Sequence, residues 1–123
     1  MKLKKIILLF LGIVVEFFAH DFFSKQSLII ENYGISLSIN WVSSLFLNII
    51  FILIIGWFCW REKSYFLSLV LIGGLINIVD RLVFGYVRDY WNVGGILVNN
   101  LNDWLIGTGV LLFLLEMIWK KQK

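Results

Sequence analysis

Four apolar runs, each close to the length that crosses a lipid bilayer, take up most of the chain and leave it few other ways to fold. They extend over about Leu3 to Phe23, Trp41 to Trp60, Tyr65 to Phe84 and Asp103 to Trp119. A helix needs about 20 mostly apolar residues to cross a hydrocarbon core of roughly 30 Å. The runs are too long and too poorly alternating for barrel strands, and isolated strands would leave backbone groups unpaired in lipid, so each run reads as a helix. Composition agrees: 60% of the 123 residues are hydrophobic, 15% are charged and none is proline. A mean hydropathy of +0.89 is outside the range of small soluble domains. The expected fold is all-α, a single polytopic membrane domain over residues 1–123 with four transmembrane helices and short loops.

The cations set an orientation. Lys2, Lys4 and Lys5 precede the first helix, Arg61 and Lys63 lie between the second and third, and Lys120, Lys121 and Lys123 follow the fourth. Four crossings put all three groups on one side, and the positive-inside rule makes that side the cytoplasm. Both termini are therefore expected to be cytoplasmic, with two short outer loops at about Ser24 to Asn40 and Gly85 to Asn102. The net charge of +3 then reports topology and contact with membrane lipids. No basic groove or aromatic platform suggests nucleic acid.

The start, "MKLKKIILLFLGIVV", has the basic and apolar regions of a signal peptide, but the apolar run continues past Glu16 without a small-x-small cleavage site, so a retained helix is expected. Cys59 is the sole cysteine, which excludes a disulfide within the chain and suggests a packing role.

The polar residues concentrate near the outer ends of the helices. Asn77, Asp80 and Arg81 are three and four residues apart and share one helical face. Charges in a membrane segment are costly, so these side chains should turn inward and bond to one another or to neighbours, as a packing clamp or as part of a site. At "VNNLND", Asn100 and Asp103 are again three apart, and asparagine suits a helix start. Asp89 follows Gly85, which can supply a turn where the third helix ends. If the segment from Tyr90 to Asn99 folds back, Asp89 approaches Asp103. Two carboxylates held together share one proton, leaving one as a base for water and the other as an acid for a carbonyl. That is the minimal apparatus of an aspartic protease. No Ser, His and Asp set, metal-ligand spacing or phosphate loop competes with it.

These residues resemble the lipoprotein signal peptidase family, the type II signal peptidases. The family's third-helix motif, Asn-x-x-Asp-Arg followed by x-x-x-Gly-x-Val-x-Asp, is filled by Asn77, Asp80, Arg81, Gly85, Val87 and Asp89. Its fourth-helix motif, Phe-Asn-x-Ala-Asp, is met at Asn100 and Asp103. Asp21 and Lys25 match the Asp-x-x-x-Lys that ends the first helix, and Asn32 and Gly34 match an Asn-x-Gly in the first outer loop.

The resemblance implies a four-helix aspartic endopeptidase of the bacterial inner membrane that needs no metal or organic cofactor and removes signal peptides from lipid-modified prolipoproteins. It implies Asp89 and Asp103 as the catalytic pair, Asn32, Asn77, Arg81 and Asn100 along the substrate site, and Asp80 as a structural partner of Arg81. Asp21, Lys25, Gly34 and Gly85 are implied as supporting residues. Ile76 stands where the family has glycine, Asn99 and Asn102 replace Phe and Ala, and the stretch between the two aspartates is short.

The other polar residues have simpler readings. Glu16 is expected to be protonated or paired inside the bundle, Glu116 to pair with Lys120, and Asn48 to bridge helices. The tryptophans should form an interfacial belt, and His20, beside Asp21 at the outer end of the first helix, is expected either to tune the outer site or, as interfacial histidines more often are, to be merely hydrated. A non-catalytic membrane scaffold or partner-binding protein would keep the helices and the clamp without needing Asp89 or Asp103. A proton or ion pathway would need polar residues at successive depths, which the second helix does not offer.

Overall fold

The computed structural model describes residues 2–33 and 41–123, with side chains in the second stretch described from residue 44. Four long helices account for most of it: α1 (Lys2–Gln26), α2 (Trp41–Glu62), α3 (Phe66–Phe84) and α4 (Leu101–Lys121). All four are long and apolar enough to cross a membrane. Their ends fall within three residues of the sequence-based bounds.

The helices have unequal places in the bundle. Of the apolar stretch of α3, 61% is buried inside the protein, against 11% in each of the other three, so α3 is the central helix and touches all of its neighbours. Phe10, Phe18, Leu53, Leu111 and Ile118 face outward, as lipid-facing positions must. Trp60, Trp104 and Trp119 are exposed near helix ends, where an interfacial belt would put them. Without a hydrophobic force between helices in lipid, close backbone approach has to hold the bundle. At Gly73 of α3, an added Cβ would stand 2.5 Å from the backbone oxygen of Asn102 in α4, so only glycine lets these two helices meet there.

Cys59, Leu67, Val70 and Leu71 form a small apolar core nearer the end that carries both termini, in keeping with a packing role for Cys59. Polar ties close that end. Lys5 Nζ donates to the carbonyls of Cys59 (2.7 Å) and Ser64 (3.1 Å), Ser64 Oγ donates to Glu116 (2.7 Å), and Glu116 pairs with Lys120 at 2.7 Å. Asn48 departs from expectation: its amide donates to the Ser44 carbonyl of its own helix at 2.7 Å, and among the described residues it bridges to no other helix.

The opposite end is more ordered than plain loops. Three-residue strands β1 (Ile30–Asn32) and β2 (Val87–Asp89) pair antiparallel, with Ile30 opposite Asp89 and Asn32 opposite Val87. Strands β3 (Trp91–Val93) and β4 (Leu97–Asn99) form a hairpin, with Trp91 opposite Asn99. Gly85 ends α3 at φ 82°, a left-handed conformation that costs glycine little, and its N–H donates to the Arg81 carbonyl at 3.0 Å. The turn sends β2 back over the end of α3. The hairpin then returns the chain to the start of α4, closed by Tyr90 N–H donating to the Asn99 carbonyl at 3.1 Å.

Candidate active site

The site lies where β2, the start of α4 and the last turns of α3 meet. Asn100 caps α4 in an extended conformation: its Oδ1 accepts from Asp103 N–H (3.1 Å), while Asp103 Oδ2 accepts from Asn100 N–H (3.2 Å). This reciprocal capping box satisfies two of the amides that a helix start leaves unpaired. It also fixes the Asp103 carboxylate at the mouth of the helix.

The Asn100 side chain reaches in the other direction. Its Nδ2 donates to Asp89 Oδ1 at 2.8 Å, with longer contacts to Asn77 Oδ1 (3.2 Å) and the Arg88 carbonyl (3.3 Å). One residue therefore bonds to both carboxylates, through its backbone to Asp103 and through its side chain to Asp89. Asn32, carried in by β1, donates to Asp89 Oδ2 at 3.0 Å. Asn77 donates to Asp103 Oδ1 at 3.3 Å and accepts from Asn102 Nδ2 at 2.9 Å. Asn102, which departs from the family motif, is thus bonded into the same amide network, and Asn99 accepts from Trp104 Nε1 at 3.1 Å.

The two carboxylates differ in surroundings. Asp89 is 1% exposed, whereas Asp103 is open to the outside. Burial pushes the Asp89 carboxyl up to about 6; the Asp103 charge acts in the same direction, against the Asn32 and Asn100 hydrogen bonds and the Arg81 charge. An apolar cleft of about 430 Å³ runs along β4 and α4 and reaches Asp103, with Leu97, Val98, Trp104 and Leu111 among its walls.

Asp80 has different partners from those the family resemblance implies. His20 Nε2 lies 2.7 Å from its Oδ2, Arg88 N–H donates to the same oxygen at 3.0 Å, and Arg88 Nη2 pairs with Oδ1 at 3.0 Å. Arg88 Nη1 continues to Asp21 (3.1 Å) and Ser24 (3.0 Å), and Asp21 pairs with Lys25 at 2.8 Å. Arg81 is buried beside the aspartates, but among the described residues it forms no ion pair, and its Nε has no hydrogen-bond partner. The turn at Gly85 is the physical reason: it swings Arg88 back over Asp80 and occupies both carboxylate oxygens.

His20 also differs from expectation, being wholly buried rather than hydrated. Its Nδ1 lies 3.0 Å from the Tyr90 hydroxyl, which accepts from Leu101 N–H at 3.0 Å. Burial pushes the Tyr90 phenol up to about 12, so it keeps its proton and can donate it to Nδ1. The imidazole Nε2–H then donates to Asp80. Glu16, one turn below His20, is buried, with Oε1 unpartnered. Gly34 lies outside the described residues, and Lys25 is exposed at the edge of the network.

Residues from α1, α3, both loop regions and α4 thus converge at one end of a multi-pass membrane protein, around two aspartates linked through one asparagine. A family model described as signal peptidase (SPase) II matches residues 3–119. The chain belongs to the signal peptidase II family, a family of aspartic peptidases that process lipoprotein precursors. No curated protein matches it.

Proposed function

We propose that this protein removes signal peptides from diacylglyceryl-modified prolipoproteins at the outer face of the inner membrane, with Asp89 and Asp103 as its catalytic pair. The observation that carries the proposal is the double engagement of Asn100, which bonds to Asp89 through its side chain and to Asp103 through its backbone. The eight cations grouped near the termini and the α2–α3 turn support the outward orientation.

The substrate enters sideways from lipid, with an acyl chain in the apolar cleft along β4 and α4 and the scissile peptide beside Asp103. Asp103, open to the outside, takes a proton from water as its oxygen attacks the carbonyl carbon. Asp89, whose carboxyl is raised to about 6, holds the shared proton and donates a hydrogen bond to the carbonyl oxygen. When the tetrahedral intermediate collapses, the C–N bond breaks and the departing amine receives the proton taken from water. Asn32, Asn77 and Asn100 hold the carboxylates in place, and Arg81, buried without an ion pair among the described residues, supplies positive charge beside the developing oxyanion. Asp80 is structural, through Arg88 and His20.

The test is to incubate the purified protein in lipid with a diacylated prolipoprotein and follow the release of the signal peptide by size. Cleavage that disappears in Asp89→Asn and in Asp103→Asn supports the proposal. Cleavage that survives either change, or a folded wild type that leaves the precursor whole, overturns it.

A further inference from the structure

At the end of the bundle away from the aspartates, α1, α2 and α3 enclose a second cleft of about 300 Å³. Its walls include Ile6, Leu9, Gly56, Trp60 and Leu71, and Lys2, Lys5 and Lys63 also line it. No carboxylate among the described residues does so.

The three lysines are held differently. Lys5 spends two of its three N–H donors on the carbonyls of Cys59 and Ser64 and so fastens the α2–α3 turn. Lys2 lies over the Trp60 ring, 5.0 Å from its centroid. Lys63 has a φ of 54°, the one positive value at a non-glycine among the described residues, and that sharp turn brings it to the cleft. Neither Lys2 nor Lys63 has a carboxylate partner among the described residues. The nearby acids are engaged elsewhere, Glu62 with Arg61 at 3.7 Å and Glu116 with Lys120.

An apolar cleft beside cations that lack carboxylate partners, at membrane depth, suits a ligand with a hydrocarbon chain and a negative head. We infer that this cleft binds one anionic phospholipid from the leaflet that the termini face, its acyl chain among the apolar walls and its head-group phosphate at Lys2 and Lys63. A zwitterionic lipid brings the same phosphate together with its own cation, and so is held less tightly.

Trp60 provides the readout. The full-length protein in detergent is titrated with phosphatidylglycerol or phosphatidylcholine carrying brominated chains, and the Trp60 contribution to quenching is taken as the difference from Trp60→Phe. Phosphatidylglycerol should quench Trp60 at a lower mole fraction than phosphatidylcholine. Lys2→Gln and Lys63→Gln should each weaken its binding roughly fivefold, the affinity that about 1 kcal/mol per lysine represents. Lys4→Gln, outside the cleft, should leave it unchanged. An added Cβ at Gly56 meets only Leu71 Cδ2 at an ordinary 3.8 Å, so Gly56→Leu fills the cleft and should reduce quenching by either lipid. Equal quenching by both lipids overturns the inference, as does an undiminished preference in the Lys2→Gln, Lys63→Gln double variant. Displacement of the brominated lipid by glycerol phosphate alone also overturns it, since that describes a phosphate site with no chain. The lysine variants decide the matter even if Gly56→Leu does not fold.

Discussion

Asp80 and Asp89 are both 1% exposed and stand at opposite ends of the same turn, yet their carboxylates are held in opposite ways. Asp80 meets Arg88 through both oxygens and His20 through one, and Arg88 is tied on to Asp21 and Ser24. Asp89 receives hydrogen bonds from the side-chain amides of Asn32 and Asn100, and its charge partner Arg81 forms no ion pair among the described residues. A buried acid with both oxygens engaged by a cation becomes a structural fastener. One held by neutral donors beside another acid keeps a proton within reach of exchange. The difference teaches which acids in such a cluster are free to do chemistry.

The largest effect should come from the acids held by amides. General acid and base groups typically contribute about 100- to 10,000-fold to rate, so Asp89→Asn and Asp103→Asn should lower cleavage of a diacylated prolipoprotein by at least that range. Both variants should still fold: ionising Asp89 is already unfavourable in the native protein, so removing that charge relieves a cost, and an Asn at 103 keeps an oxygen to accept from the Asn100 N–H of the capping box. Measuring signal-peptide release beside thermal unfolding in detergent separates the two. An Asp89→Asn protein that unfolds and retains cleavage in its folded fraction would erase the contrast with Asp80.

Asp80→Asn should give the reverse pattern. Leaving the buried Arg88 with only the partly exposed Asp21 as a carboxylate partner costs up to about 3–5 kcal/mol, a large share of the stability of a small domain. The yield of folded protein and its unfolding temperature should fall sharply. Arg88→Met should behave in the same direction and, by loosening β2 against α3, should lower turnover as a consequence. Unfolding followed by circular dichroism in detergent checks both.

The contrast was only half legible in the sequence. Apolar length alone marks the four helices, because lipid leaves a long apolar segment few alternatives. Asn77, Arg81, Asn100, Asp89 and Asp103 stand out by type and spacing. Helical spacing puts Asp80 beside Asn77, and the family resemblance implies Arg81 as its partner, but the partner that Asp80 takes is Arg88, eight residues on and beyond the Gly85 turn. No periodicity reports such a contact. His20 beside Asp21 looks interfacial, and only the packing of Tyr90 against α1 buries it. The strands β1 to β4 are three residues each, too short for an alternating pattern to show. Asn102 reads as a departure from the motif, although its amide bonds to Asn77. An unusual count of asparagines near Asp103 was the available signal for an amide network.

A smaller effect tests how Asp89 keeps its proton. A carboxyl at about 6 is mostly protonated below that pH and mostly ionised above it. If Asp89 supplies the acid, kcat/KM should fall as pH rises through that region. Asn32 donates to Asp89 Oδ2 and favours the ionised form, so Asn32→Ala should move the falling limb to higher pH as well as weakening the site. The rate against pH for both proteins checks the sign, and a shift to lower pH contradicts the role of Asn32 as a donor to the carboxylate.

Tyr90→Phe should have the smallest effect and probes the bridge between the two kinds of acid. The Tyr90 hydroxyl accepts from Leu101 N–H at the start of α4 and faces His20, which in turn bonds to Asp80. Removing it leaves one half-buried backbone N–H without this partner and deprives His20 Nδ1 of its partner, a cost of about 1–3 kcal/mol. Neither aspartate loses a direct contact, so cleavage should fall severalfold while the pH at which it declines stays where it was. A pH profile that moves in Tyr90→Phe would mean that the protons of the fastener and of the reactive pair are coupled. Asp80 would then belong to the chemistry as well as to the scaffold.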